Sequence, residues 1–384
     1  MQVERIKLIF NNNKERTLFG RYISNDHILP LLEKLKGHFQ VSHIGNSVNE
    51  APIYSVRVGQ GKRKILMWSQ MHGNESTTTK AIFDLLNAFA NKVDDLDSIV
   101  KNCTLLIIPI LNPDGAKAYT RVNANQIDLN RDAQDLSQPE SIVLRKTFEE
   151  FQPNFCFNLH GQRTIFGAGN TSKSATVSFL APSQDEECTV TTNRKIAMEV
   201  ICEMNGFLQI QIPNQIGIYD DTFNINCVGD TFQNLGVSTI LFEAGHYAND
   251  YDREITREFI FQSYIIALSY IANNKIDGNK HSLYFDIPLN QKNFFDIIIK
   301  NALIDPYEKL ISDVGILYKE ELIDGKVNFT PKIEKISNLE NFYGHKFVDA
   351  NGTIVETVNF DSISEGYEND FVLLNREYFS LKLK

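Results

Sequence analysis

The chain has 384 residues, 42% hydrophobic and 22% charged, an ordinary globular composition with room for one large domain and a smaller one. Its formal net charge is −10, which argues against nucleic acid or an anionic membrane surface as the main partner. No window approaches the roughly 18 apolar residues of a membrane helix, and the first twenty residues lack a signal-peptide pattern. The cysteines Cys103, Cys156, Cys188, Cys202 and Cys227 are scattered and form no CxxC pair. That usage suits a reducing compartment, so a cytoplasmic location is expected.

Residues 1–60 read as a lead-in segment. Within it "DHILPLLEKLKGHFQ" has helical spacing and "APIYSVRVG" alternates like an edge strand. "VGQGKRK" then turns tightly into the first core strand. From about residue 64 to 273 short apolar runs alternate with longer helical patterns. "KILMWSQ" (64–70), "CTLLIIPIL" (103–111), "NFCFNLH" (154–160), "VSFLAP" (177–182) and "STILFEA" (238–244) read as buried strands. Helical spacing occupies 75–91, 138–151, 185–205 and 251–273. This alternation predicts an α/β domain over residues 1–275, with a largely parallel or mixed sheet covered on both faces. Residues 276–384 change texture: "HSLYFDIPL", "GKVNFTPKIEKI", "HKFVDANGTIVETV" and "DFVLLN" are short strand-like runs. They predict a small β-rich domain with one or two helices, and "DANG" reads as a hairpin turn.

Ligands of such sheets bind beyond the carboxyl ends of the strands, so the polar residues there carry the functional argument. His72 and Glu75 follow "KILMWSQ", His160 ends "NFCFNLH", and Glu243 nearly ends "STILFEA". A catalytic zinc centre needs three nitrogen or oxygen ligands and one open position. Spacing of i, i+3 sets His72 beside Glu75, and His160 would arrive from a neighbouring strand end. Taken singly, each histidine reads first as a solvated or hydrogen-bonded turn residue; it is the three candidates together at one sheet edge that point to a metal. Glu243 emerges from an apolar strand, where partial burial raises a carboxyl pKa toward that of a general base. It also reads as a turn cap. The loop 112–132 carries Arg121, Asn130 and Arg131, residue types suited to binding a carboxylate or a developing oxyanion.

The ordered motifs "HGNE", "NPDG", "TR", "DLNRD", a strand ending "LH", and "ILFEAG" resemble the zinc metallocarboxypeptidase family of carboxypeptidase A-like peptidases, over about residues 40–270. The resemblance implies an α/β/α sandwich with a mixed, mostly parallel eight-stranded sheet. It implies one Zn2+ per chain held by His72, Glu75 and His160, with Glu243 as general base and Arg121 stabilising the oxyanion. Asn130 and Arg131 match the pair that grips a free substrate carboxylate, and Tyr219 matches the mobile tyrosine. The expected activity is hydrolysis of a C-terminal peptide or amide bond. Two features depart from the digestive enzymes: "GQRTIFG" follows the third ligand, and only 84 residues separate Glu75 from His160. The first implies a different nearby subsite, and the second leaves room for a deacylase of N-acyl amino acids, similar to aspartoacylase and succinylglutamate desuccinylase. A non-catalytic metal- or carbohydrate-binding protein is the third alternative. Val228 and Asp230 near the expected specificity position point toward an apolar and a basic terminal residue respectively, and Arg163 toward an acidic one, while all three read first as structural residues.

Overall fold

The computed structural model describes residues 1–383. Strand β3 (Arg63–Ser69) shows how a continuous apolar run builds two cores at once. Ile65 and Met67 enter one core and Leu66 and Trp68 the other, as the two-residue period of a strand requires. The other strands of this sheet are β1 (Gln40–Asn46), β2 (Pro52–Val58), β4 (Cys103–Ile108), β5 (Phe155–Gly161), β7 (Val177–Leu180), β8 (Ile216–Ile218) and β9 (Ser238–Ala244). β6 (Phe166–Ala168) stands outside it. The order is β1-β2-β4-β3-β5-β9-β7-β8. The central strands β4, β3, β5 and β9 run parallel, while β1, β2 and the β9–β7 pair are antiparallel.

Helices cover both faces. α1 (Val3–Asn13), α2 (Asn25–Leu35), α3 (Thr77–Ala90), α4 (Asp97–Asn102), α7 (Thr192–Leu208) and α9 (Glu254–Asn273) line the larger core. α6 (Pro139–Phe151) and α8 (Val228–Asn234) close the smaller one, and α5 (Pro113–Ala118) sits in the 112–132 loop. This is the expected α/β/α sandwich with an eight-stranded mixed sheet.

Local chemistry moved several boundaries. α3 starts at Thr77 because Glu75 first closes a turn, its N–H on the His72 carbonyl at 3.1 Å. α9 starts at Glu254, where the Asp250 carboxylate accepts the N–H groups of Glu254, Ile255 and Thr256 at 2.8–2.9 Å. The segment "APIYSVRVG" is not an edge: β2 pairs on one side with β4 and on the other with β1, and β1 takes the rim. β1 ("QVSHIGN") is only partly buried, so it lacks the apolar signature that marks the inner strands.

Contacts divide the chain into two compact units, Met1–Gln162 with Ala175–Asn290, and Arg163–Ser174 with the residues from Gln291 onward. In the second, β11 (Phe294–Asp305), β12 (Leu310–Ile323), β13 (Lys326–Ser337) and β14 (Tyr343–Asp349) form a sheet in the order β13-β12-β11-β14. β10 (Asn290–Lys292) pairs with β6, and β15 (Val355–Glu356), β16 (Phe371–Leu374) and β17 (Glu377–Ser380) form a third small sheet. Two expectations for residues 276–384 fail. "HSLYFDIPL" is a 3-10 helix over His281–Asp286 rather than a strand, and it is the helix present in that range among the described residues. "DANG" does make a tight turn, with Asn351 and Gly352 both at positive φ, but no hairpin: β14 runs parallel to β11 instead of pairing with β15. The true two-residue hairpin loops are Asp324-Gly325 and Asn375-Arg376.

One buried ion pair anchors the larger core. Arg257 of α9 donates to both oxygens of Asp84 in α3 at 2.7 and 2.6 Å, and both side chains are fully buried. Arg257→Met leaves the Asp84 charge uncompensated in the core, and we expect a loss of about 3–5 kcal/mol. Urea unfolding followed by the fluorescence of Trp68, the sole tryptophan and fully buried in β3, checks this.

Candidate metal centre

Two glycines set the two loops that frame the site back to back. A Cβ on Gly73 of "HGNE" would lie 1.9 Å from the carbonyl carbon of Gly115 in "NPDG". A Cβ on Gly115 would meet the Asn112 amide at 2.4 Å. Asn112 caps α5 by accepting the Gly115 N–H at 2.8 Å and donates to the Met71 carbonyl at 3.1 Å. The loop after β4 is thereby locked onto the turn after β3.

His72, Glu75 and His160 meet at the carboxyl ends of β3 and β5. Their ligand atoms all lie within 4.8 Å of one another. His72 Nδ1 is 2.8 Å from Glu75 Oε1, His160 Nδ1 is 2.9 Å from Glu75 Oε2, and the two Nδ1 atoms are 3.1 Å apart. Gly161 N–H adds a bond to Glu75 Oε2 at 3.0 Å. Zinc bonds of about 2.0–2.1 Å at tetrahedral angles place ligand atoms about 3.3 Å apart, so these separations suit a small cation. The proton inventory points the same way. His72 Nε2 lies 3.1 Å from Asp128 Oδ1; with its proton given to that carboxylate, Nδ1 is a bare lone pair. The His72 lone pair then faces the Glu75 carboxylate, an arrangement that calls for positive charge between them.

Burial and charge work against each other at every ionisable group here. Burial by itself would lift the Glu75 carboxyl, yet His72 and His160 hold it well below the ordinary carboxylate range. Burial opposes ionisation of Asp128 too, and His72 and Arg121 overcome it. Burial lowers the His72 pKa, but the Glu75 charge and the bonds to Asp128 and Glu75 raise it on balance. Arg121, half exposed, clamps Asp128 Oδ2 through two nitrogens at 3.0 and 2.9 Å and reaches to 3.3 Å from His72 Nδ1. Asp128 is the member of this cluster that the motif reading passed over. Its available signal was an acid opening the "DLNR" turn, where it caps Asn130 N–H at 2.9 Å.

Glu243 lies in register with His160 across β5 and β9 and with Ser178 across β7. It is 8% exposed, and its Oε2 has no hydrogen-bond partner among the described residues. Burial first, and the Glu75 charge second, push its pKa well above the usual range. Tyr219 follows β8; burial and the charges of Glu243 and Glu75 raise its phenol pKa, so the ring is within electrostatic reach of both carboxylates. Asn130 Oδ1 accepts the Val228 N–H at 3.1 Å, and Arg131 is exposed, its guanidinium on the Asn130 carbonyl at 2.8 Å. Val228 and Asp230 are buried in α8; burial lifts the Asp230 carboxyl to about 6, against the charges of Arg131 and Arg194. Arg163 belongs to the second unit.

A buried His₂Glu donor set at the strand ends of a mixed α/β sheet is the ligand class of catalytic zinc centres. Comparison with known proteins is specific: residues 28–200 match the family model described as zinc carboxypeptidase. The chain is 31% identical to carboxypeptidase SOL1 of Arabidopsis thaliana over 137 residues, which is 31% of this chain and 28% of that protein. It thus spans under a third of the curated relative it matches. Among solved structures it shares the fold of a metallo-carboxypeptidase from Burkholderia cenocepacia, with a TM-score of 0.51 and 15% identity over 65% of this chain and 70% of that one. Carboxypeptidase A from Helicoverpa armigera gives a TM-score of 0.52 and 16% identity over 70% and 80%.

If Asp128 orients His72 toward a metal, Asp128→Asn should weaken zinc retention about 10- to 100-fold. Competitive titration with a chromophoric chelator measures it.

Proposed function

We propose that the chain is a zinc-dependent hydrolase that removes a C-terminal residue from a peptide or small amide. The observation that carries this is the convergence of the three ligand atoms within 4.8 Å beside Glu243, which is held in register with His160. One zinc per chain at His72, Glu75 and His160 would supply a Lewis acid that polarises the scissile carbonyl and acidifies the attacking water.

The chain's own residues do the rest. Glu243, buried and with a raised pKa, takes the proton from the attacking water and later delivers it to the leaving amine. Arg121 faces the carbonyl oxygen and offsets the negative charge that grows on it. Asn130 and Arg131 hold the free carboxylate of the substrate, which sets the scissile bond one residue from its end. Tyr219 closes over the bound residue.

The raised pKa fixes the sign of the pH dependence. Below it Glu243 is protonated and cannot act as a base, so kcat/KM should climb as pH rises through that pKa. The acid limb should therefore lie above the ordinary glutamate value of about 4.3. Glu243→Gln should lower kcat by about 10²- to 10⁴-fold and abolish that limb while zinc stays bound. Mass spectrometry of a mixed peptide library, run beside a panel of N-acyl amino acids, checks rate and substrate class together. Preference for the N-acyl amino acids would replace the carboxypeptidase reading with the deacylase one.

A further inference from the structure

The loop that carries Tyr219 is tied down two residues further on. Arg194 of α7 is 1% exposed, and its guanidinium serves three chain segments. Nε donates to the Ala181 carbonyl at 3.1 Å, one terminal nitrogen donates to the Cys188 carbonyl, and the other pairs with the Asp221 carboxylate. The main-chain carbonyl of the same Asp221 accepts the Ser183 hydroxyl at 2.6 Å and the Cys188 thiol at 3.3 Å. Tyr219 itself holds the Phe179 carbonyl through its N–H at 3.0 Å. Further along, Asn224 N–H bonds the Asp230 carboxylate at 3.1 Å and Gln134 donates to the Ile225 carbonyl at 3.2 Å. The tyrosine loop is therefore pinned near both ends, and Asp221 is its anchor on the tyrosine side.

A buried guanidinium is retained at a cost unless it is well paired. The pairing here runs to the tyrosine loop and to the two segments beside it. Asp221 differs from Arg194 in one telling way: its side chain is 45% exposed. The Asp221 side of the contact borders solvent, and Arg194 keeps its bonds to the Ala181 and Cys188 carbonyls when Asp221 moves away, as a latch requires.

We propose that Arg194 and Asp221 form a latch that holds the tyrosine loop in place beside the His72–Glu75–His160 cluster, and that both are positioning residues for substrate binding rather than for the chemical step. The kinetic half of this rests on the hydrolase reading; the conformational half does not. Released from Arg194, residues 219–223 lose their charge-assisted anchor, and a loop that must be ordered to cover substrate binds it less tightly.

The test uses the full chain with Asp221→Asn and Arg194→Lys. Hydrogen exchange read by mass spectrometry should accelerate on the order of ten-fold over 219–223 in Asp221→Asn, while β5 and β9 exchange as in the wild type. KM for a peptide substrate should rise several-fold, about 3- to 10-fold, with kcat within about two-fold of wild type. Adding Tyr219→Phe to Asp221→Asn should raise KM by less than it does in the wild-type background, because the two changes act on one element. Arg194→Lys, which keeps the charge but loses the three-way fork, should fall between wild type and Asp221→Asn. Unchanged exchange over 219–223 overturns the latch whatever the enzyme hydrolyses. Faster exchange with kcat lost and KM unmoved overturns the assignment to substrate binding. Absence of hydrolysis by the wild type sinks the hydrolase reading alone, since exchange still decides the latch. Asp221 is half exposed, so this outcome does not depend on whether Arg194 variants fold.

Discussion

A largely buried carboxylate between two imidazoles governs the organisation of the first unit. Glu75 places one oxygen on His72 and the other on His160 and Gly161, and its charge is sustained only because those partners are there. The partners come from the ends of two parallel strands that are distant in sequence. The register of β3 with β5, the turn after β3 and the glycine contact between "HGNE" and "NPDG" must all be right for that one carboxylate to be satisfied. Asp128 and Arg121 extend the same network outward from His72.

Around this point the fold drives two neighbouring glutamates apart in acidity. Glu75 is held ionised by the histidines, whereas Glu243 sits in the apolar end of β9 and feels the Glu75 charge as repulsion. The two carboxyls are thus pushed in opposite directions by what each one faces, the histidines for Glu75 and the apolar strand end for Glu243. The overall charge of −10 says nothing about this; the local pattern is set by burial and by what each carboxylate faces.

Much of the first unit was legible because its signals are local. Buried inner strands are continuous apolar runs, and His72, Glu75, His160 and Glu243 stand immediately after or within them. The resemblance of the ordered motifs to the zinc carboxypeptidases agrees with the family match and with the shared fold. Where the reading failed, the deciding contact was distant. "APIYSVRVG" alternates as an edge strand does, but β1 binds its outer side. "DANG" has the dihedrals of a hairpin loop, yet a parallel pairing with β11 claims β14 first. "HSLYFDIPL" has strand-like composition but folds as a 3-10 helix. Asp128 carries no compositional mark that separates it from other turn acids; only its distance to His72 does.

The sequence by itself determined which residues can bear the chemistry, because ligand type, i, i+3 spacing and position after an apolar strand are properties of short segments. It also determined the two-faced sheet, since strand periodicity and flanking helices are local. Tertiary structure alone decided that the donor atoms converge within reach of one small cation, that Asp128 lies against His72, and that the Glu243 pKa is raised while that of Glu75 is lowered. It alone decided, too, that Arg163–Ser174 joins the second unit although it lies directly after the third ligand. These outcomes depend on strand register and on burial, and both are fixed only when segments distant in the chain close on one another.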